Sequence, residues 1–157
     1  MLVTLQSNDN VTAEIDLDDN DDQIKLLGEV FQGDPLMQDD TSEKRIPLPM
    51  VEGRELLRMM DFFHLCLRLK KEDTSFEVEK RQKSSFIDKF DSEELIQLTI
   101  AANYMNYDNL VDCACERIAR MIRGKSPEEI RQIFHIENDI SPTDAEKIRQ
   151  ENEWIFS

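Results

Sequence analysis

Between Glu52 and Leu69 the chain places Leu56, Leu57, Met59, Met60, Phe62, Phe63, Leu65, Cys66, Leu67 and Leu69, so apolar side chains occupy almost the whole circumference of a helix. A helix apolar along one stripe needs one neighbour. One that is apolar nearly all round must be packed on several sides, and it predicts a domain assembled around it. The 157 residues are enough for one such core and too few for a second full one.

The elements around that helix are marked by local signals. Residues 3–5 (V-T-L) and 11–15 (V-T-A-E-I) alternate apolar and polar about a Ser-Asn-Asp-Asn turn, which predicts a β-hairpin. Ile24, Leu27, Val30 and Phe31 predict a short amphipathic helix ended by Gly33-Asp34-Pro35. Residues 34–45 lack periodicity and are expected to be an exposed loop. The stretch I-P-L-P-M-V (46–51) fits only a short strand at an edge or strand end, because proline cannot donate to a ladder. Residues 70–85, mixed in charge and nearly free of apolar residues, have the composition of a mobile loop.

Helices dominate the rest of the chain. Asp91-Ser92-Glu93-Glu94 opens one that runs to about Tyr104, and Asp108 opens another that runs through Arg123 to a Gly124 C-cap. Ser126-Pro127-Glu128-Glu129 combines an N-cap serine, proline at the first helical position and a glutamate set to complete a capping box. Ser141-Pro142-Thr143-Asp144 repeats the device with a shorter acid. The fold class expected is α/β, mostly helical.

Charge narrows the function. The 34 acidic residues against 19 basic ones give a net charge of -15, which argues against nucleic-acid binding, where cations must displace counterions. The acidity is concentrated early: residues 1–50 carry 12 of the acids and 3 of the bases. No apolar run is long enough to cross a membrane and no secretory leader is recognisable, so no membrane partner is expected. Three cysteines do not form a disulfide framework, and a reducing compartment, cytoplasmic or nuclear, is expected.

Patterns that suggest chemistry give way to simpler readings. Gly124-Lys125-Ser126 resembles the end of a phosphate loop, but Ala119 stands where its first glycine belongs and a helix precedes it. Asp16-x-Asp18-x-Asn20 imitates a calcium loop, yet Asp21 and Leu27 occupy the positions of the required glycine and glutamate. Cys113 and Cys115 on one helix point about 200° apart and cannot share a metal. His64 and His135 have no local acid or cysteine arrangement, and the adjacent Glu128 and Glu129 are explained by a helix's first turn. No cofactor, metal or catalytic site is expected. An enzyme built on Cys66, Cys113 or Cys115 would need a reactive low-pKa thiol.

The remaining signal is excess apolar surface. From Leu110 to Arg123 the apolar residues sweep an arc of roughly 240° of helix, more than one neighbour covers. Ile130, Ile133, Phe134 and Ile136 add a second face, and the chain closes on Trp154-Ile155-Phe156. Together these read as a surface completed by a partner's helices, with Trp154 as anchor.

The residues also resemble a known family. A-A-N-Y-M (101–105), N-L-V-D (109–112), R-M-I-R-G-K-S-P-E-E-I-R-Q-I-F-H-I-E-N-D (120–139) and R-Q-E-N-E-W (149–154) are similar to the Skp-type adaptors of SCF ubiquitin ligases. The resemblance implies a BTB/POZ-like domain over 1–108 and an F-box-binding helical extension over 109–157. It implies an adaptor without catalytic activity that bridges a cullin scaffold to F-box proteins. By position, Leu110, Ile118, Met121, Ile122, Ile130, Phe134, Ile136 and Trp154 match the F-box-receiving segments, and Asn103 and Tyr104 the cullin contact. Asp108 and Asn109 stand where the family has Lys-Gly, and asparagine tolerates a left-handed bend there. The alternative is a Skp-like subunit that forms a homodimer through its BTB-like half and acts outside ubiquitin ligases.

Overall fold

The computed structural model describes residues 1–20, 23–33 and 44–156, without the Phe31 and Phe156 side chains. The chain divides into two compact units, Met1–Met121 and Ile122–Ser157.

In the first unit, β1 (Leu2–Ser7) pairs antiparallel with β2 (Thr12–Asp16) and parallel with β3 (Arg45–Leu48), giving the order β2-β1-β3. Period-two alternation turns Val3, Leu5, Ile15, Ile46 and Leu48 into the core. The hairpin is the expected one, with a longer first strand and a second strand of the expected length shifted by one residue. Pro47 sits in β3 opposite Gln6, and β3 is an edge strand, the position where a missing N–H is tolerated. The expected loop 34–45 lies outside the described residues up to 43, while Lys44 is buried and Arg45 already opens β3.

The helix predicted from residue 52 is α3 (Gly53–Lys71), and it is central: Leu56, Met59, Met60, Phe62, Phe63, Cys66 and Leu69 are all buried. Its N-cap residue, Glu52, makes no side-chain cap bond. The cap comes instead from the hairpin turn. Asp9 Oδ1 accepts from the Gly53 N–H at 2.8 Å and from the Ser7 hydroxyl at 2.5 Å. The approach is so close that a Cβ on Gly53 would lie 2.3 Å from Val11 Cγ2, so glycine is required by space here.

Short helices α1 (Leu17–Asn20) and α2 (Lys25–Gly33) follow the hairpin, and the buried Asn20 amide bonds the Ile24 N–H and carbonyl. The segment 70–85 is not a loop. It contains the end of α3 and most of α4 (Phe76–Asp88). Composition misleads because glutamate, lysine, arginine and glutamine are good helix formers and pair along the helix, as Lys83 does with Glu79. Only Ile87 of α4 is fully buried, with Phe86 half-buried in a run of rings from Tyr107 through Phe62 and Phe86 to Phe90.

Helix α5 (Ser92–Tyr104) starts where expected, with a reciprocal capping box between Asp91 and Glu94. The bend before α6 (Asp108–Ile122) is made by Asn106 at φ 50°, not by Asp108 or Asn109, which are already helical. Tyr107, just after the bend, is fully enclosed. The second unit holds α7 (Pro127–Phe134), α8 (Pro142–Glu151) and α9 (Glu153–Phe156). Gly124 takes φ 71° after α6 ends, as a C-terminal glycine should. Ser126 and Glu129 complete the capping box, and Ser141 caps α8 through the Asp144 N–H.

Candidate functional site

The extension is expected from residue 109, but α6 packs with the first unit as far as Met121. Leu110 is completely enclosed in that core, next to the equally buried Ala114, so it is a supporting residue and not a surface one. The wheel places it correctly on an apolar face but cannot say which neighbour covers that face. Val111, Cys113, Ile118 and Met121 are half-buried against the core and remain partly open.

The second unit differs in kind. Between Ile122 and Ile155 no residue is buried. Ile130, Ile133 and Phe134 of α7 are half-buried, and Ile122 and Ile136 (54% exposed) are open to solvent. Trp154 is 75% exposed and Ile155 56%. Ile140 and Ile148, which the sequence reading passes over, are exposed as well. Scattered surface isoleucines are ordinary, but a unit that buries none of its described residues and exposes an aromatic and several isoleucines gains by having them covered.

A second surface lies on α5. Leu95, Leu98, Ala101 and Ala102 face the core, which leaves Ile96, Ile100, Asn103 and Tyr104 on the other side. Asn103 is exposed, Tyr104 half-buried, and Ile100, one turn before Tyr104, is 57% exposed. Sequence reading misses Ile96 and Ile100. The available signal is arithmetic: four apolar residues at 95, 96, 98 and 100 cannot all share one face of a helix.

Two of the three thiols are held in their neutral form by burial. Burial pushes the Cys66 thiol up to about 11, with the Lys83 ammonium opposing only part of the shift. Cys113 is raised for the same reason. Tyr107, its hydroxyl beside Cys66, is pushed above the usual phenol range, again by burial. Cys115 is exposed on α6. His64 is exposed with its ring edge-on to Phe63, and His135 ends α7 in the left-handed conformation. Among the described residues no group of three or more His, Cys, Asp or Glu could hold a metal ion, and no helix is long and apolar enough to cross a membrane. The Asp16 and Asp18 carboxylates of the would-be calcium loop pair instead with the Met1 ammonium, at 2.6 and 2.9 Å.

Comparison with known proteins decides the family. A profile described as "Skp1 family, dimerisation domain" matches residues 108–155. SKP1-like protein 1A of Arabidopsis thaliana is 36% identical over 162 residues, covering 98% of this chain and 96% of its own. The chain belongs to the Skp1 family. Another similar protein, named E3 ubiquitin ligase complex SCF subunit sconC, from Talaromyces stipitatus, is also 36% identical, over 97% of this chain and 95% of its own. SKP1-like protein 18 of Arabidopsis thaliana is 35% identical over 126 residues, 78% of this chain and 80% of its own. The three-stranded sheet wrapped by helices is accordingly the BTB/POZ-like, mostly helical α/β fold of the Skp1 family. The matched profile covers α6 to α9, the helices in which this Skp1-family chain leaves apolar residues uncovered.

Proposed function

We propose that this chain is a non-catalytic adaptor subunit of an SCF-type ubiquitin ligase, holding an F-box substrate receptor on a cullin scaffold. Such an adaptor does no chemistry. It raises the effective concentration of a substrate near the ubiquitin-carrying enzyme, and its contribution is geometric. The observation that carries the reading is the second unit, which presents Ile136, Trp154 and Ile155 with nothing buried beneath them.

On this reading the F-box helices cover Ile122, Ile130, Phe134, Ile136 and Trp154 of the second unit and engage Ile118 and Met121 of α6 as the half-open part of the first. The cullin contact is Asn103 and Tyr104, to which Ile100 adds apolar area. The functional extension is then residues 109–157, although its first helix is anchored in the first unit. Three free cysteines suit a reducing compartment, cytoplasmic or nuclear.

The deciding experiment is co-purification of the full chain with an F-box protein and, separately, with the N-terminal fragment of a cullin. Binding of both establishes the adaptor, and failure to bind any F-box protein ends the reading. Self-association through the BTB-like half, outside ubiquitin ligases, is a second reading, and the matched profile lies over residues 108–155 rather than over that half. Light scattering over a concentration series separates the two: a persistent dimer that binds no cullin fragment favours the second.

A further inference from the structure

A cleft between α4 and α6 has no part in the adaptor reading, and its chemistry stands independently of that reading. Its volume is about 490 Å³, and it is lined by Lys80, Arg81, Ser84 and Ser85 of α4 with Glu116 and Arg120 of α6. There the Ser84 hydroxyl accepts a hydrogen bond from Arg120 Nη2 at 3.1 Å. The same nitrogen donates to Asp88 Oδ1 at 3.0 Å, and Arg117 Nε lies 3.3 Å from that oxygen. One carboxylate therefore serves two guanidinium groups.

Lys80 is matched by Glu116 at 3.7 Å, whereas Arg81 has no carboxylate partner among the described residues. Glu77, two turns before Ser84, also lines the cleft. With it counted the lining is balanced, Lys80, Arg81 and Arg120 against Glu77, Asp88 and Glu116, in a chain whose overall charge is -15, and Arg117 stands beside Asp88 as a further cation. A serine hydroxyl thus rests on an arginine in a charge-balanced cleft of a strongly acidic chain, and basic residues ahead of a hydroxyl are a pattern that kinases select. The residues before Ser84 read Lys80-Arg81-Gln82-Lys83, placing an arginine three positions ahead of the serine.

We propose that Ser84 is phosphorylated by a kinase that selects basic residues, and that Arg120 receives the phosphate. In the transfer, Ser84 Oγ bonds to the γ-phosphorus of magnesium-bound ATP as the bond to the β-phosphate oxygen breaks. ADP leaves, and the hydroxyl proton passes to the kinase's own carboxylate base. Access follows from how α4 is held. Its one fully buried residue, Ile87, lies beyond Ser84, and nothing from Phe76 to Ser85 is buried. A segment with so little buried apolar surface opens locally at low cost, which lets residues 80–84 extend into a kinase cleft. Once α4 closes again, the phosphate draws Arg120 away from Asp88, and Arg117 remains to neutralise that carboxylate.

The test uses the full chain, the catalytic subunit of cyclic-AMP-dependent protein kinase and magnesium ATP, with the site read by mass spectrometry. One phosphate on Ser84 is expected, lost in Ser84→Ala and in Arg81→Ala and kept in Ser85→Ala. In the phosphorylated chain, phosphorus NMR should put the second phosphate pKa about one unit below its ordinary value near 6, with the ordinary value restored in Arg120→Ala. Arg120→Gln gives the same reading if the alanine loosens α6, and circular dichroism shows which variants remain folded. No incorporation into folded wild-type chain, or phosphate on Ser85 alone, overturns the site. A phosphate pKa indifferent to both Arg120 variants overturns the arginine's role.

Discussion

Replacing Trp154 with alanine separates a partner-binding side chain from a structural one. A tryptophan carries about 150–250 Å² of side-chain surface, and this one is 75% exposed, so most of that area waits to be covered. At about 25 cal/mol per Å², complete cover of the open part would contribute about 3–5 kcal/mol. Ordering costs and imperfect cover reduce the observable share to about 2–3 kcal/mol, or between roughly 30-fold and 150-fold in Kd. The quarter already covered contributes little to the fold, so the melting temperature should fall by no more than about 3 °C. Isothermal titration against an F-box domain, with calorimetric melting of the same samples, measures both quantities. An affinity unchanged in a stable Trp154→Ala chain refutes the reasoning. A loss of affinity that tracks a large loss of stability refutes it equally, since Trp154 would then belong to a core.

Four further outcomes are expected. Gly53→Ala forces a methyl into the space held by Val11 and Asp9, and urea denaturation should show a loss of about 1–3 kcal/mol. Asn103→Ala combined with Tyr104→Ala should weaken pull-down of a cullin fragment and spare F-box binding, because α5 carries these residues on a surface of the first unit. Cys66 is an acid whose folded pKa is raised, from 9.0 to about 11, so its neutral form stabilises the fold in full below pH 9. That contribution is lost as pH rises from 9 to 11, by roughly 2–3 kcal/mol in denaturation series at the two pH values, and Cys66→Ala should reduce the difference by that share, leaving the part that the raised Cys113 and Tyr107 contribute. Glu129 is held below the usual carboxylate range by the Ser126 backbone N–H and then its side chain, so the helix start it secures persists above pH 4.5. That support fades as pH falls through the lower folded value, and the Ser126 amide resonance should titrate with a midpoint below 4.5, a response absent in Glu129→Gln.

The features legible in the sequence are those that neighbouring residues decide between themselves. The Asp91 and Ser126 helix starts are reciprocal bonds between residues three apart, and both appear as expected. The hairpin and the edge position of Pro47 follow from period two and from a missing donor in the same way. Residues 76–88 mislead because low apolar content resembles disorder, whereas a helix needs only good formers and one anchored end, here Phe86 and Ile87. Leu110 and Ile100 mislead for a different reason. A wheel gives the direction of a side chain but not its neighbour, so a core leucine counts as surface and a surface isoleucine is passed over. Asp9 capping Gly53 across 44 positions is invisible in the sequence, because the bond exists only after the hairpin and the helix have met.

Pro47 has a further effect on how the sheet meets other chains. Along a strand, successive residues direct their backbone groups to opposite sides. The Lys44 carbonyl accepts from Thr4 in β1, so Ile46 and Leu48 also turn toward β1 and Pro47 turns outward. An incoming strand at that margin would find a ring where it needs an N–H, and extension of the sheet by an aggregating neighbour is blocked on that side.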